Sequence, residues 1–147
     1  MKLKIAWIGK TKEPAIQSLT DEYLKRLSRY AEVEGLALKD ESALLKLCGR
    51  EARSVRYTMV LLDSRGKQLS SEEFAEFLGN HHDRNPSTLT FAVGPANGFT
   101  ATTRQEANLL LSLGKMTLAH EIARVVLLEQ LYRAFTILKG HPYHLGH

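Results

Sequence analysis

The stretch from Gly140 to His147, GHPYHLGH, holds His141, His144 and His147 with Tyr143 among them. Histidine takes up and releases protons near neutrality, and tyrosine joins a stackable ring to a hydroxyl. The i, i+3, i+6 spacing also fits a metal ligand set. Against a metal stand the lack of a nearby acidic ligand and Pro142, which disfavours one helix presenting all three rings. A general base, an RNA-contacting tail or a plain chain end are the remaining alternatives. Cys48 is the one cysteine, which removes disulfides within the chain and cysteine-based zinc. No metal is expected.

Further upstream, apolar runs stop at turns in three places: Leu62 before Asp63, Val93 before Gly94, and Leu113 before Gly114 and Lys115. In an open α/β sheet, ligands lie beyond the carboxyl ends of the strands, so three such ends can line one pocket. Glycine there lets the backbone come close to an adenine or ribose and use its own N–H and C=O groups. The stretch Gly94-Pro95-Ala96-Asn97-Gly98 is not the dinucleotide fingerprint, and no G-K-[ST] phosphate loop is present. Ordinary turns are the competing account.

The elements that must hold these pieces follow from hydrophobic period. Leu3 to Ile8 is predicted as a buried strand, and Pro14 opens a helix whose stripe is Ile16, Leu19, Tyr23, Leu24 and Leu27. Val33 to Leu38 is predicted as a strand near an edge, and Glu41 to Arg56 as a helix with Leu44, Leu45 and Leu47 inward. Tyr57 to Leu62 is the clearest strand. Ser70 and Glu73 form a capping box before a helix that buries Phe74, Phe77 and Leu78, and Asn85-Pro86 breaks the chain. Thr88 to Val93 is a fourth strand, Thr100 to about Leu111 a helix, Met116 to Leu118 a very short strand, and Ile122 to Leu138 the last helix. Alternation of this kind predicts one α/β domain over 1–147, with a mostly parallel sheet covered by helices on both faces.

The last helix is apolar around most of its circumference, from Ile122 and Val125 through Leu131 and Phe135 to Leu138. A chain of 147 residues has little room for a central helix, so a homodimer interface is expected. Glu129 and Arg133, four apart, form a favourable pair on its polar strip. Residues 1–56 carry twelve Lys/Arg against eight Asp/Glu, and the remainder eight against eight. Lys25, Arg26 and Arg29, and later Lys46, Arg50 and Arg53, recur at helical spacing and suit a phosphate backbone or a solvated face. No stretch approaches a membrane span and the start lacks a signal-peptide apolar region, so a cytoplasmic protein is expected.

Taken in order, G-x-x-x-G at Gly94–Gly98, L-x-x-x-T-L at Leu113–Leu118, H-x-x-x-R at His120–Arg124, L-Y-R-A at Leu131–Ala134 and H-P-Y-H at His141–His144 resemble the ribosomal RNA large subunit methyltransferase H family. That family belongs to the SPOUT class of knotted, S-adenosylmethionine-dependent enzymes. The opening MKLKIAWIGK and EYLKRL at Glu22–Leu27 are also similar, so the resemblance runs the whole length. It departs at Pro95-Ala96-Asn97, where the family usually has a glycine, a proline and an acid, and at Ala119, where it has proline.

The resemblance implies a homodimer with a C-terminal trefoil knot, a rare exception to unknotted topology. It implies methylation of N3 of a pseudouridine in the large-subunit ribosomal RNA of the assembled ribosome. The cofactor pocket it implies is Leu62, Gly94 and the loop of Leu113, Gly114, Lys115, Met116, Thr117 and Leu118. The chemistry requires in-line alignment and loss of the N3 proton. His144 or His141 near the base, Tyr143 as a stacking or hydrogen-bonding partner, and Arg133 as electrostatic support are the expected catalytic residues. A SPOUT enzyme acting on transfer RNA and a non-catalytic ribosome-binding module are the rival classes.

Overall fold

The computed structural model describes residues 1–48, 57–84 and 87–145, with the side chains of Tyr57, His144 and Leu145 excepted. Arg50, Arg53, His147, the Asn85-Pro86 break and the end of the predicted Glu41–Arg56 helix lie outside the described residues. The elements are β1 (Lys2–Ile8), α1 (Pro14–Leu27), β2 (Glu32–Leu38), α2 (Glu41–Cys48), β3 (Tyr57–Gln68), α3 (Ser71–Arg84), β4 (Thr88–Val93), α4 (Ala101–Glu106), β5 (Leu109–Ser112) and α5 (His120–Lys139). A 3-10 turn over Pro142–Leu145 follows.

The strands form one five-stranded sheet in the order β2-β1-β4-β3-β5, and every pairing is parallel. The period of two then sorts side chains to its faces. Leu3, Ile5 and Trp7 of β1, Leu89, Phe91 and Val93 of β4 and Val60 of β3 lie in a core shared with α1, α3 and α5. Ala6, Met59, Leu61 and Ala92 lie on the opposite face with Leu44 of α2 and Phe99. Burial on both faces is why these strands are near-continuous apolar runs. In β4 every residue is buried.

Helix α5 packs on α1 and α3. Its inner stripe, Leu127, Leu128, Leu131, Ala134 and Phe135, is buried. Each such leucine contributes roughly 1.5–3 kcal/mol by leaving water. The opposite side is not fully covered: Ile122 is 50% and Leu138 44% exposed.

Three expectations are corrected. The helix predicted from Thr100 to Leu111 stops at Glu106, and Leu109–Ser112 is a strand. The reason is Asn108, whose side-chain oxygen accepts from Met59 N at 2.8 Å while its own N–H donates to Met59 O at 2.8 Å. That side chain imitates a ladder partner and starts the leucines pairing with β3. Met116–Leu118 forms no strand and runs as an irregular segment before α5. Leu19 leaves the α1 stripe at 43% exposed, and Thr20 is buried instead.

Strand β3 also runs on past Asp63, with a register shift between Leu62 and Lys67 against Leu111. Gly66 makes that irregularity possible. A Cβ there would sit 2.5 Å from the carbonyl carbon and oxygen of Leu110. Backbone cannot swing aside as a side chain can. Gly66→Ala is therefore expected to destabilise the protein by about 1–3 kcal/mol and to lower Tm by several degrees in thermal unfolding.

Candidate active site

The carboxyl ends of β4 and β5, with the irregular middle of β3 at Leu62–Arg65, open onto a cavity of about 380 Å³. Leu62, Asp63, Ser64 and Arg65 form one wall, Val93 to Gly98 a second, and Leu111 to Gly114 with Met116, Thr117 and Leu118 a third. His120 and Ala123, in the first turn of α5, close the end.

Each wall has a local cause. Gly94 lies under the Phe99 ring, where a Cβ would come within 2.9 Å of it. Gly98 turns the chain with φ of 83° and donates its N–H to Pro95 O at 2.9 Å. Gly114 has φ of 146°, and the Ser112 hydroxyl pins it by donating to Gly114 O at 2.8 Å and accepting from Gly114 N at 3.2 Å. Both turns use backbone conformations that a Cβ resists.

Asp63 and Arg65 supply the charge. Arg65 donates to the Asp63 carboxylate from its backbone N–H at 2.8 Å, Nε at 3.2 Å and Nη2 at 3.3 Å. Burial pushes the Asp63 carboxyl up, but these bonds, the Arg65 charge and that of Arg104 outweigh it and leave it below the usual range. The Arg65 side chain is 65% exposed. A buried anion and a reachable cation thus face the cavity together.

The end wall is held by a buried cation. Arg124 is 1% exposed and lies 4.1 Å from the centroid of the Trp7 ring. It donates from Nη1 to Thr11 Oγ1 at 2.8 Å and to Thr20 Oγ1 at 3.4 Å. One turn earlier, the Glu121 carboxylate accepts from the backbone N–H of Lys12 at 3.2 Å and of Glu13 at 3.3 Å. Together these groups tie the turn after β1 to the start of α5 and so set where His120 stands.

Of the residues expected in a cofactor pocket, Leu62, Gly94, Leu113, Gly114, Met116, Thr117 and Leu118 line this cavity. Lys115 does not line it and is exposed. Asp63, Arg65 and His120 also line it and were not among the expected pocket residues, while Asn97, in the turn already singled out, lines it too. The signal for the first pair was present: an acid at a strand end with a basic residue two positions on suits a side chain closing a turn on its own backbone.

The expected catalytic residues lie elsewhere. His141 and Tyr143 follow the last turn of α5, whereas His120 begins it. Twenty helical residues at about 1.5 Å each separate the tail from its own cavity by ~30 Å. Tyr143 packs against Tyr132 at 4.8 Å and under the Arg133 guanidinium at 5.1 Å. Burial, a hydrogen bond with Tyr23 and the Glu129 charge push the Tyr143 hydroxyl up to about 12, so it keeps its proton at neutral pH. Arg133 is held by Glu129, donating from Nε at 2.9 Å and Nη2 at 3.1 Å. His141 Nδ1 and Tyr30 Oη share a hydrogen bond of 2.7 Å. The His144 side chain lies outside the described residues.

A family model described as a predicted SPOUT methyltransferase matches residues 1–144. The chain belongs to that family. Ribosomal RNA large subunit methyltransferase H of Koribacter versatilis is 60% identical to it over 147 residues, covering all of both chains. The enzyme of the same name from Trichlorobacter lovleyi is 42% identical over 152 residues, covering 98% of this chain and 99% of its own. This SPOUT chain therefore also belongs to the methyltransferase H family. Among solved structures, a probable methylase family protein from Haemophilus influenzae superposes with a TM-score of 0.59 at 13% identity, covering 96% of this chain and 69% of that one. The SpoU methyltransferase AviRb from Streptomyces viridochromogenes, solved with AdoMet, gives 0.53 at 11% identity, covering 90% and 57%. At those identities the likeness is one of fold: this is a SPOUT fold with an all-parallel sheet, an order consistent with the implied knot.

The Glu121 clamp has a pH signature. Burial pushes its carboxyl up, yet the N–H donors of Glu13 and Lys12 and the Arg124 charge leave it net below the ordinary value. A carboxyl depressed on folding adds stability above its unfolded value, near 4.3, and loses it as pH falls through the folded value. Glu121→Gln should therefore lower the urea midpoint at pH 7, with the gap to wild type closing below about pH 4.3.

Proposed function

We propose that this protein transfers a methyl group from S-adenosylmethionine to N3 of a pseudouridine in large-subunit ribosomal RNA of the assembled ribosome, and that it works as a homodimer. The observation that carries the proposal is the coincidence of two things. A ribosomal RNA large subunit methyltransferase H matches over the full chain, and seven of the eight residues expected around the cofactor line one cavity.

The cavity fits the cofactor. Its volume lies within the range of small-molecule sites, and its walls mix apolar side chains with backbone groups of glycine turns. Leu62, Leu113, Met116 and Leu118 would flank the adenosine, and backbone groups around Gly94 and Gly114 would bind its polar edges. Asn97 stands where the family usually has an acid, and Asp63 with Arg65 supplies charge on the facing wall. When bound, S-adenosylmethionine supplies a methyl on a sulfonium, an electrophile that carries its own leaving group.

The chain's own task is alignment and proton removal. Holding the acceptor nitrogen in line can contribute up to ~7–11 kcal/mol. A positioned base adds ~10²–10⁴-fold. Tyr143 keeps its proton and so serves as a donor or stacking partner to the base, while His141 or His144 takes the N3 proton and Arg133 supports the imide anion. A tail ~30 Å from its own cavity cannot do this within one protomer. A second copy can bring its tail there, and the apolar patch of Met116, Leu118 and Ile122, 84%, 43% and 50% exposed beside the cavity, supports such a partner.

Labelled methyl should pass from S-adenosylmethionine to the large-subunit RNA of ribosomes lacking the modification. Naked ribosomal RNA and transfer RNA should stay unlabelled. Label in transfer RNA, or none at all while the cofactor binds, contradicts the proposed substrate.

The shared site makes a separate forecast. A chain ending at Lys139 and a Gly94→Leu chain should each be inactive. Mixed and re-equilibrated, they should recover about a quarter of wild-type activity, because half the dimers are then mixed and each has one intact site of two. No recovery would mean that tail and cavity belong to the same subunit.

A further inference from the structure

A second concentration of chemistry surrounds the end of α5. Tyr23 and Tyr132 lie 6.2 Å apart, Tyr132 and Tyr143 4.8 Å, and Tyr30 stacks on Phe135 at 5.6 Å. Packing of the tail accounts for these rings. It does not account for the cations laid on them.

The Arg26 guanidinium lies 5.1 Å from the Tyr23 centroid and 5.5 Å from that of Tyr132. Its Nε donates to Glu22 at 3.1 Å, its side chain is 36% exposed, and its terminal nitrogens have no partner among the described residues. Lys25 and Arg29, at the same end of the helix, are exposed, and their side chains have no hydrogen bond or ion pair among the described residues. The acids bonded into the cluster, Glu22 and Glu129, are each already held by an arginine. What is left over is positive.

A guanidinium held against rings loses little freedom when it binds, and its planar fork matches a phosphate. Half-exposed rings beside such forks match a strand in which bases alternate with phosphates. An acidic peptide would use the cations and leave the rings idle. We infer that Tyr23, Arg26 and Tyr132, edged by Lys25 and Arg29, form a docking shelf for the ribosomal RNA strand flanking the target nucleotide. The cations contact phosphates and a ring lies under a base. Its place follows from the functional proposal above: if the tail works at a partner's cavity, the shelf beside the tail borders that same cavity. These contacts set register and orientation and carry no sequence information.

The test measures binding of the full chain, loaded with S-adenosylmethionine, to unmodified large ribosomal subunits over a range of salt. Wild type is compared with Lys25→Gln/Arg29→Gln and Arg26→Gln. Each lost phosphate contact should reduce the slope of log K against log salt by roughly 0.7–0.9. The double variant should therefore lose about twice as much slope as the single one, with cofactor binding unchanged in both. Arg26→Lys should restore slope but not full affinity, because a point charge replaces the stacked fork. A purely structural role would lower affinity, if at all, without moving the slope. Lys25 and Arg29 are exposed, so the double variant folds whatever Arg26 contributes.

Unchanged slopes in both variants, with methyl transfer by wild type intact, overturn this inference alone. Failure of wild type to methylate ribosomes overturns the functional proposal and the shelf with it. Competition by isolated large-subunit proteins rather than by protein-free RNA would show that the shelf takes a protein, and overturns it too.

Discussion

A single buried cation fixes the relation between the sheet and its longest helix. Arg124 lies on the Trp7 ring and reaches Thr11 and Thr20, so one side chain of α5 touches β1, the turn after it and α1. Removing such a charge from water is expensive, and the expense is tolerated only where partners compensate. Here an aromatic face, two hydroxyls and the nearby Glu121 carboxylate offset part of it, while burial still pulls the guanidinium below its ordinary value and its Nε has no partner among the described residues. The same turn is held twice, because Glu121 accepts its backbone N–H groups. Without this attachment the first turn of α5, and His120 with it, would have no fixed position over the strand ends.

From that fixed end the rest of the functional geometry follows. The cavity forms where β4 and β5 stop beside the register shift of β3, and parallel pairing puts the two strand ends on the same side of the sheet. Glycine at positions 94, 98 and 114 shapes the walls by backbone path more than by side chain. The aromatic and basic residues of the tail gather at the far end of α5. Cavity and tail are thus separated by a rigid element within one protomer.

Much of this was legible in the residues, and the failures have physical causes. Thr88–Val93 reads as a strand because a segment buried on both faces must be apolar throughout. The Ser70 and Glu73 capping box reads correctly because its two reciprocal bonds are local, at 2.8 and 3.0 Å. Leu109–Ser112 misled because four apolar residues fit a helix or a strand equally. What decided it was the side chain of Asn108, bonded to a residue forty-nine positions earlier. Lys115 was placed in the pocket by the resemblance, as part of the loop Leu113–Leu118, but a chain passing a cavity presents only some of its residues to it. Asp63 was taken to end a strand that in fact continues, since nothing in the one-dimensional pattern announces a register shift made possible by a bare Gly66.

The length of α5 is itself a specification. The helix ends at Gly140, in the left-handed conformation with φ of 71°, so its last turn is sharply defined and the tail leaves in a set direction. A twenty-residue rod pinned at one end acts as a ruler between two places that never meet in one protomer. Inserting a single residue would rotate everything beyond it by about 100° and advance it by about 1.5 Å, and even a whole extra turn would displace the tail by roughly 5.4 Å. Loops elsewhere in such a fold tolerate changes of length, but a change of one residue between His120 and Gly140 would move the tail off its place.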